Sequence, residues 1–180
     1  MSYELLSLIA TAVLLLGLLV TWLLRRRNPL QREIKKLTQA ISHDALKDLL
    51  VPDGMGGEIH VDYLLKTHRG FLLLDVRDVS GVVFAGERMH EWSATLNNQR
   101  INFDNPIPSL FDRLAAVKSI ASGVPVDAKV VFVNAVTFPK GHPDQVTTVQ
   151  NLVDDYATHS SSIENTSFDP KWAVFEGLVR

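Results

Sequence analysis

The fold of this chain is decided by residues 58–77, which read Glu58-Ile-His-Val-Asp62-Tyr-Leu-Leu-Lys-Thr67-His-Arg-Gly70-Phe-Leu-Leu-Leu-Asp75-Val-Arg77. Two runs rich in leucine and β-branched residues flank a short break at residues 68–70, which is the pattern of a β-hairpin. If residues 68 and 69 form the loop, Thr67 pairs with Gly70. The stretch therefore predicts two long antiparallel strands in a fixed register.

This register places charged residues opposite one another. Counting outward from the loop, Asp62 lies opposite Asp75, and His60 lies opposite Arg77. Side chains two positions apart share one face of a strand, so all four point the same way. Because two carboxylates directly opposed across a ladder repel each other, the pair needs a bound cation, the Arg77 guanidinium or solvent to compensate it.

Charge is unevenly distributed along the chain. Arg25, Arg26 and Arg27 belong to its 18 lysines and arginines, whereas Glu4 is the only one of its 20 aspartates and glutamates that precedes Asn28. The remainder is therefore mildly acidic, which argues against strong, salt-driven, non-specific binding of nucleic acid. The absence of cysteine excludes disulfides and thiolate metal sites.

Residues 5–24 carry no charge and are almost entirely apolar. As a helix they would span about 30 Å, the thickness of the hydrocarbon core of a bilayer. Trp22 suits the membrane interface, and positive charge follows the apolar run instead of preceding it, unlike a cleaved signal peptide. Residues 1–27 are therefore predicted to be a single-pass anchor in the inner cell membrane. The bilayer is then a partner, the N-terminus lies outside, and the remaining chain is cytoplasmic.

The remaining chain alternates apolar segments with turns. Helices are predicted at residues 29–42, between Pro106 and Gly123, and at residues 143–156, and Asn105 is the N-cap of the second. Besides the hairpin, strands are predicted at residues 46–51, 82–84, from 91 onward, and at 129–133. The order predicts an α/β fold, a mixed β-sheet with flanking helices, over residues 28–158. Residues 159–180 are predicted to be an extension that adds a strand at residues 172–175.

The candidate chemistry lies in Asp62 and the Asp75-x-Arg77 motif, with Glu33 at the border of the apolar stripe of the first helix. Hydrolysis of a phosphodiester with Mg²⁺ needs carboxylate ligands and a cation near the scissile phosphate, and these residues could supply both. Spacing alone equally allows a structural ion pair between Arg77 and either aspartate. It also allows Glu33 to be a solvated residue on the helix flank.

The wider pattern resembles the nuclease-related domain (NERD) family of the PD-(D/E)xK nuclease class. The residues that carry the resemblance are, in order, Glu33, Val61-Asp62-Tyr63, Gly70, Asp75-Val76-Arg77, Gly81, Gly86, Trp92 and Asn105-Pro106. The resemblance covers residues 28–157 and implies a restriction-endonuclease-like core. It also implies a site that binds Mg²⁺ or Mn²⁺ through Asp62 and Asp75, with Glu33 as a supporting acid and Arg77 in the lysine position.

Three positions depart from the family pattern: Arg77 replaces lysine, Tyr63 replaces histidine and Ser109 replaces glutamine. Arginine stays protonated and carries a larger, rigid fork, so it cannot activate a water molecule as lysine can. Two hypotheses follow. The chain is a membrane-tethered, Mg²⁺-dependent nuclease that acts on DNA or RNA, or it is a catalytically degenerate module that binds a protein or nucleic-acid partner.

Overall fold

The structure is a computed structural model that describes residues 29–157 and 166–179, together with Val13 and Gly17. The described residues form helices α1 (Pro29–Ile41), α2 (Pro106–Ile120), α3 (Val149–Ala157) and α4 (Asp169–Glu176), with a 3-10 turn at Thr166–Phe168. They also form strands β1 (Asp44–Pro52), β2 (Glu58–Thr67), β3 (Gly70–Arg77), β4 (Gly81–Phe84), β5 (Glu91–Leu96), β6 (Gln99–Asp104), β7 (Val126–Phe132), β8 (Val136–Thr137) and β9 (Val146–Thr148).

The strands form two sheets. The larger has the order β1-β2-β3-β7-β9, with β1, β2 and β3 antiparallel and β7 and β9 parallel to β3. The smaller has the order β6-β5-β4-β8, in which β4 and β8 are parallel. The predicted α/β fold with a mixed sheet and flanking helices is confirmed, although the strands divide between two sheets.

The predicted hairpin register is confirmed near the turn, whereas the pairs predicted between Asp62 and Asp75 and between His60 and Arg77 are not formed. Thr67 pairs with Gly70, and the pairing continues outward as far as Tyr63 opposite Leu74. Gly70 has φ +128°, and a Cβ atom there would lie 2.2 Å from the carbonyl oxygen of Pro125. The turn therefore requires glycine, because any side chain would be strained and would collide with the segment that leads into β7.

Alternation along β3 divides the core into two parts. Leu72 and Leu74 pack beneath α1 and α3, in a cluster that includes Leu37 and Tyr156. Phe71 and Leu73 face the opposite side, where α2, α4 and the smaller sheet pack. Asp75 follows on this second face because successive side chains alternate. The strand therefore delivers one carboxylate to the end of an otherwise apolar layer.

The C-terminal segment is a helix, so the strand predicted at residues 172–175 is wrong. Pro170 stands in the first turn of α4, and the aromatic residues Phe168, Trp172 and Phe175 recur at helical spacing. All three contact Phe71, with ring centroids 5.3–6.1 Å apart. The apolar run at residues 172–175 is too short to distinguish helical from strand periodicity. Packing of Trp172 and Phe175 against Phe71 favours the helix.

Further contacts hold α4 to the larger sheet. Trp172 Nε1 donates to Asp44 Oδ2 at 2.9 Å, and the buried Lys66 ammonium pairs with Asp169. These contacts lie at the end of β2 that is remote from Asp62. The C-terminal segment therefore completes the core without forming part of the candidate site.

Two other predictions need correction. The helix predicted at residues 143–156 begins only at Val149, because residues 146–148 form strand β9 beside β7. Strand β6 was not predicted. It pairs with β5 through a turn at Asn97 and Asn98, which both have positive φ. Its two apolar residues, Ile101 and Phe103, alternate with polar residues, but the strand is only six residues long. The helices predicted at residue 29 and after Asn105 are confirmed.

No helix among the described residues is long and apolar enough to cross a membrane. Of the anchor predicted at residues 5–24, only Val13 and Gly17 are described, and both are helical. That prediction therefore lies outside the described part of the chain.

Candidate functional site

Asp75 is the centre of the site and one of its most deeply buried groups, with 2% of the residue exposed. Its Oδ1 lies 2.6 Å from Arg77 Nε, and its Oδ2 accepts hydrogen bonds from Arg77 Nη2 at 2.9 Å and from Arg113 Nη1 at 2.5 Å. The Arg77 Nε contact is a charge contact that lacks hydrogen-bond alignment. Both carboxylate oxygens are therefore occupied by guanidinium groups, and two positive charges surround one negative charge.

Arg113 connects three elements of the fold. It projects from α2, its Nη1 reaches Asp75 on β3, and its Nε donates to the backbone oxygen of His60 on β2 at 2.8 Å. Arg113 stands 38 positions after Asp75 and was not among the site residues predicted from the sequence. The available signal was helical spacing, because Arg113 lies one turn beyond Ser109 and so shares its face of α2.

Asp62 lies beside Asp75, but it takes part in different contacts. The β2–β3 ladder ends at Tyr63, and beyond it Asp62 Oδ2 accepts the backbone N–H of Val76 at 2.9 Å. Its Oδ1 lies 3.4 Å from His60 Nδ1. The Asp62 carboxylate thus replaces a backbone acceptor where the two strands separate. His60 pairs with Leu50 of β1, and the predicted pairing of His60 with Arg77 does not occur.

Asp48 is a second residue near the site that was not predicted from the sequence. It has φ +54° in the middle of β1, an uncommon conformation for a residue other than glycine. Its carboxylate lies 3.5 Å from His60 Nε2 and 3.0 Å from Lys47 Nζ. The hydrogen bond to Asp48 raises the pKa of Lys47. Burial raises the pKa of the nearby Tyr63, and the carboxylates of Asp48 and Asp62 contribute to that increase.

Glu33 does not join these residues. Its carboxylate pairs with Lys36 at 2.7 Å on the exposed side of α1, and about half of its side chain is accessible (46%). Within the described residues it makes no contact with Asp62, Asp75 or Arg77. The structure therefore brings together three of the four predicted site residues and leaves Glu33 apart.

The geometry of the donors does not fit a Mg²⁺ ion. Magnesium needs an octahedron of oxygen ligands and usually keeps several waters, so its carboxylates must be accessible. Asp75 is buried with both oxygens held by arginines, and one oxygen of Asp62 is held by a backbone N–H. In the part of the chain that the structure describes, no three histidine, aspartate or glutamate residues gather as a metal site.

The glycine, tryptophan and asparagine of the sequence pattern build one rigid loop near the start of α2. Asn105 Nδ2 donates to the carbonyl oxygens of Glu87 and Met89 at 3.0 and 2.8 Å, and Trp92 Nε1 donates to that of Gly86 at 3.0 Å. Asn105 Oδ1 also accepts the N–H of Ile107 at 2.9 Å, which caps the helix. These residues therefore fix the start of the helix that carries Arg113.

Replacing Asn105 with alanine is expected to lower the free energy of unfolding by about 2 kcal/mol. The change removes an N-cap, typically about 1 kcal/mol, and leaves loop carbonyls without their donor. Urea denaturation followed by tryptophan fluorescence measures the loss. Asn102→Ala, at an exposed position on β6, is the control and should change stability little. Equal effects of the two substitutions would contradict the role assigned to Asn105.

Comparison with known protein families agrees with the sequence pattern. The family model of the nuclease-related domain (NERD) matches residues 26–133, which is more than half of the chain. The chain therefore belongs to the NERD family. Searches of curated proteins and of solved structures return no match. The matched region contains every residue of the site and ends just after β7, so α3 and α4 lie beyond it.

Proposed function

We propose that this chain is a nuclease-related domain that binds the phosphate backbone of nucleic acid without cleaving it. The observation that carries this proposal is the pairing of Asp75 with both Arg77 and Arg113. A carboxylate held in this way serves to position two guanidinium groups and is poorly suited to hold a metal ion. The degenerate alternative therefore has more support than a metal-dependent nuclease.

Both arginines keep donors for a ligand. Arg77 Nη1 and Arg113 Nη2 make no hydrogen bond to any described residue, and the two side chains are 29% and 20% accessible. A guanidinium presents a planar fork of N–H donors that matches the oxygens of a phosphate. Because Asp75 already fixes both side chains, little rotamer freedom remains to be lost when a ligand binds.

The charge of the site favours an anionic ligand of modest affinity. Two arginines share the single charge of Asp75, so these three side chains carry a net positive charge. The Asp62 carboxylate, which accepts the N–H of Val76, keeps its negative charge nearby and lowers the attraction for an anion. The chain as a whole has a formal net charge of −2. Binding should therefore depend on a few local contacts and not on a broad basic surface. Single-stranded or double-stranded DNA and RNA all present the required phosphates.

The same proposal places the domain at a membrane. Residues 5–24 would cross the inner membrane once, and the basic residues 25–27 would keep the domain on the cytoplasmic side. The site would then act on nucleic acid close to the membrane surface. Protease protection in sealed inverted vesicles would test this orientation, because a cytoplasmic domain is digested in that preparation.

Arg77→Gln is expected to weaken oligonucleotide binding at least about tenfold, because a charge-assisted hydrogen bond is worth about 1.5–3 kcal/mol. The slope of the logarithm of the binding constant against the logarithm of the salt concentration should also fall by about one, the value for one lost phosphate contact. Fluorescence anisotropy of a labelled oligonucleotide, with the full chain kept in mild detergent and EDTA present, gives both quantities.

Arg100→Gln is the matched control, since it removes one exposed arginine from β6, which makes no part of the site. It should leave the affinity nearly unchanged. Equal losses in the two variants, or no binding by the unmodified chain, would contradict the proposal.

Hydrolysis with Mg²⁺ remains a second candidate function, favoured by the position of Asp62 and Asp75 on neighbouring strands of a NERD domain. It requires Arg77 and Arg113 to leave Asp75. Cleavage of DNA or RNA in Mg²⁺ or Mn²⁺ that disappears in Asp75→Asn would support this candidate. A protein partner is the remaining alternative, and failure to bind any nucleic acid would favour it.

A further inference from the structure

The surroundings of the Arg113 guanidinium are those of a bound cation. It lies between two oxygens on adjacent strands, Asp75 Oδ2 at 2.5 Å and the backbone oxygen of His60 at 2.8 Å. A carboxylate and a backbone carbonyl are hard oxygen ligands, the type that Mg²⁺ and Ca²⁺ take in proteins. The Arg113 side chain thus occupies a position where oxygen atoms from two neighbouring strands lie close together.

We propose that Arg113 is a built-in cation that takes the place of a divalent metal ion at Asp75. The charge of Arg113 is permanent. Its planar guanidinium contacts both oxygens at once, and its geometry is more fixed than that of a lysine ammonium. The inference goes beyond nucleic-acid binding, because it explains why the donors of this site do not fit a metal ion. It does not depend on whether a phosphate binds.

The position of Arg113 is set by the helix beneath it. α2 is held by the buried side chains Leu110 and Val117 on either side of Arg113, and its start is fixed by Asn105. The guanidinium is therefore brought to the strands by the fold and does not depend on a flexible surface side chain. A divalent ion at Asp75 would meet this fixed positive charge at close range, and repulsion would oppose its binding.

Removing this charge should create a metal site. In Arg113→Gln, the His60 oxygen loses its cation, and Asp75 keeps Arg77 as its single guanidinium partner. The second positive charge at Asp75 Oδ2 is then gone, whereas Asp62 stays nearby on β2. The full chain in mild detergent is titrated with Mn²⁺, and free Mn²⁺ is followed by electron paramagnetic resonance. We expect no saturable site in the unmodified chain and one saturable site in Arg113→Gln. The affinity of that site for Mn²⁺ should exceed any weak binding by the unmodified chain at least about tenfold.

Three further variants make the result specific. Arg113→Gln combined with Asp75→Asn should lose the new site, because the carboxylate ligand is gone. Lys118→Gln removes an exposed positive charge from the last turn of α2 and should gain nothing. Arg113→Met keeps the length of the apolar stem and serves if the glutamine variant does not fold, as judged by near-ultraviolet circular dichroism.

Two results would overturn the inference. One is saturable Mn²⁺ binding by the unmodified chain that is as tight as in Arg113→Gln. The other is a folded Arg113→Gln or Arg113→Met chain that binds no more Mn²⁺ than Lys118→Gln. Neither result bears on oligonucleotide binding through Arg77, so this inference and the proposed function can fail separately.

Discussion

Replacing Asp75 with alanine is expected to lower the free energy of unfolding by about 3–5 kcal/mol, the cost of removing one partner from a buried ion pair. Asp75 is 2% exposed, and its loss would leave the guanidinium groups of Arg77 and Arg113 facing each other without a counter-ion. The repulsion between them adds to the lost hydrogen bonds. Urea denaturation of the full chain, followed by tryptophan fluorescence, measures the change.

Asp112→Ala is the appropriate control, since Asp112 is exposed on α2 beside Arg113. It should alter stability by less than about 0.5 kcal/mol. A loss below about 1 kcal/mol for Asp75→Ala would mean that the cluster behaves like a surface ion pair. Asp75 would then not hold the side chains of Arg77 and Arg113 firmly enough to position them for a ligand.

Trp172→Ala is expected to cost about 3–5 kcal/mol, the usual range for a large aromatic side chain removed from a core. Trp172 is 3% exposed, its ring lies 5.3 Å from that of Phe71, and its Nε1 donates to Asp44. The residue lies beyond the region that matches the family model. The prediction therefore tests whether α4 is part of the folded unit. Thermal or urea unfolding of the full chain gives the answer.

Val174→Ala provides a comparison within the same helix, because Val174 is 49% exposed. Its effect should stay below about 1 kcal/mol. If Trp172→Ala were no more destabilising than Val174→Ala, α4 would be an appendage, and the domain would be stable without it.

The central part of the fold was predictable because its local signals agree. Three local features each predict one element: the apolar run of β3 predicts a buried strand, the break before Gly70 a hairpin turn, and the cap at Asn105 the start of a helix. The structure contains all three. Their consequence, a carboxylate at the end of a buried strand beside a second acid, was also predictable. The predicted register placed Asp62 opposite Asp75. In the structure the ladder ends one pair earlier, at Tyr63 and Leu74, and Asp62 reaches β3 through the N–H of Val76.

Prediction failed where the decisive interaction is remote in sequence. Strand β9 is short, and its pairing with β7 overrides the helical periodicity of residues 143–156. Residues 172–175 are helical because Trp172 packs on Phe71, about a hundred positions earlier in the chain. Strand β6 lies at the edge of the smaller sheet, and its apolar alternation is limited to Ile101 and Phe103, of which only Phe103 packs on the core.

The contacts of the site were not predictable from the sequence, because they too join residues that are remote in the chain. Spacing alone identified Asp75-x-Arg77 as either a metal-binding motif or an ion pair. The structure contains the ion pair between Asp75 and Arg77, and Arg113 joins it. Arg113 reaches Asp75 from another element, and nothing in its neighbourhood in the sequence indicates that contact. Asp48 was missed because a left-handed residue within a strand has no sequence signature when it is not glycine.

Metal-independent binding of nucleic acid is tested by comparing oligonucleotide binding with and without a divalent metal ion. The full chain is mixed with a labelled oligonucleotide, first in EDTA and then in dilute Mn²⁺. Both solutions contain the same concentration of monovalent salt, which is well above that of Mn²⁺. Anisotropy gives the dissociation constant, and a denaturing gel gives the length of the strand. If the domain binds the phosphate backbone without a metal ion, the dissociation constant is the same in both solutions and the strand stays intact. Binding that requires Mn²⁺, or shortened strands that are absent with Asp75→Asn, would contradict the proposed function.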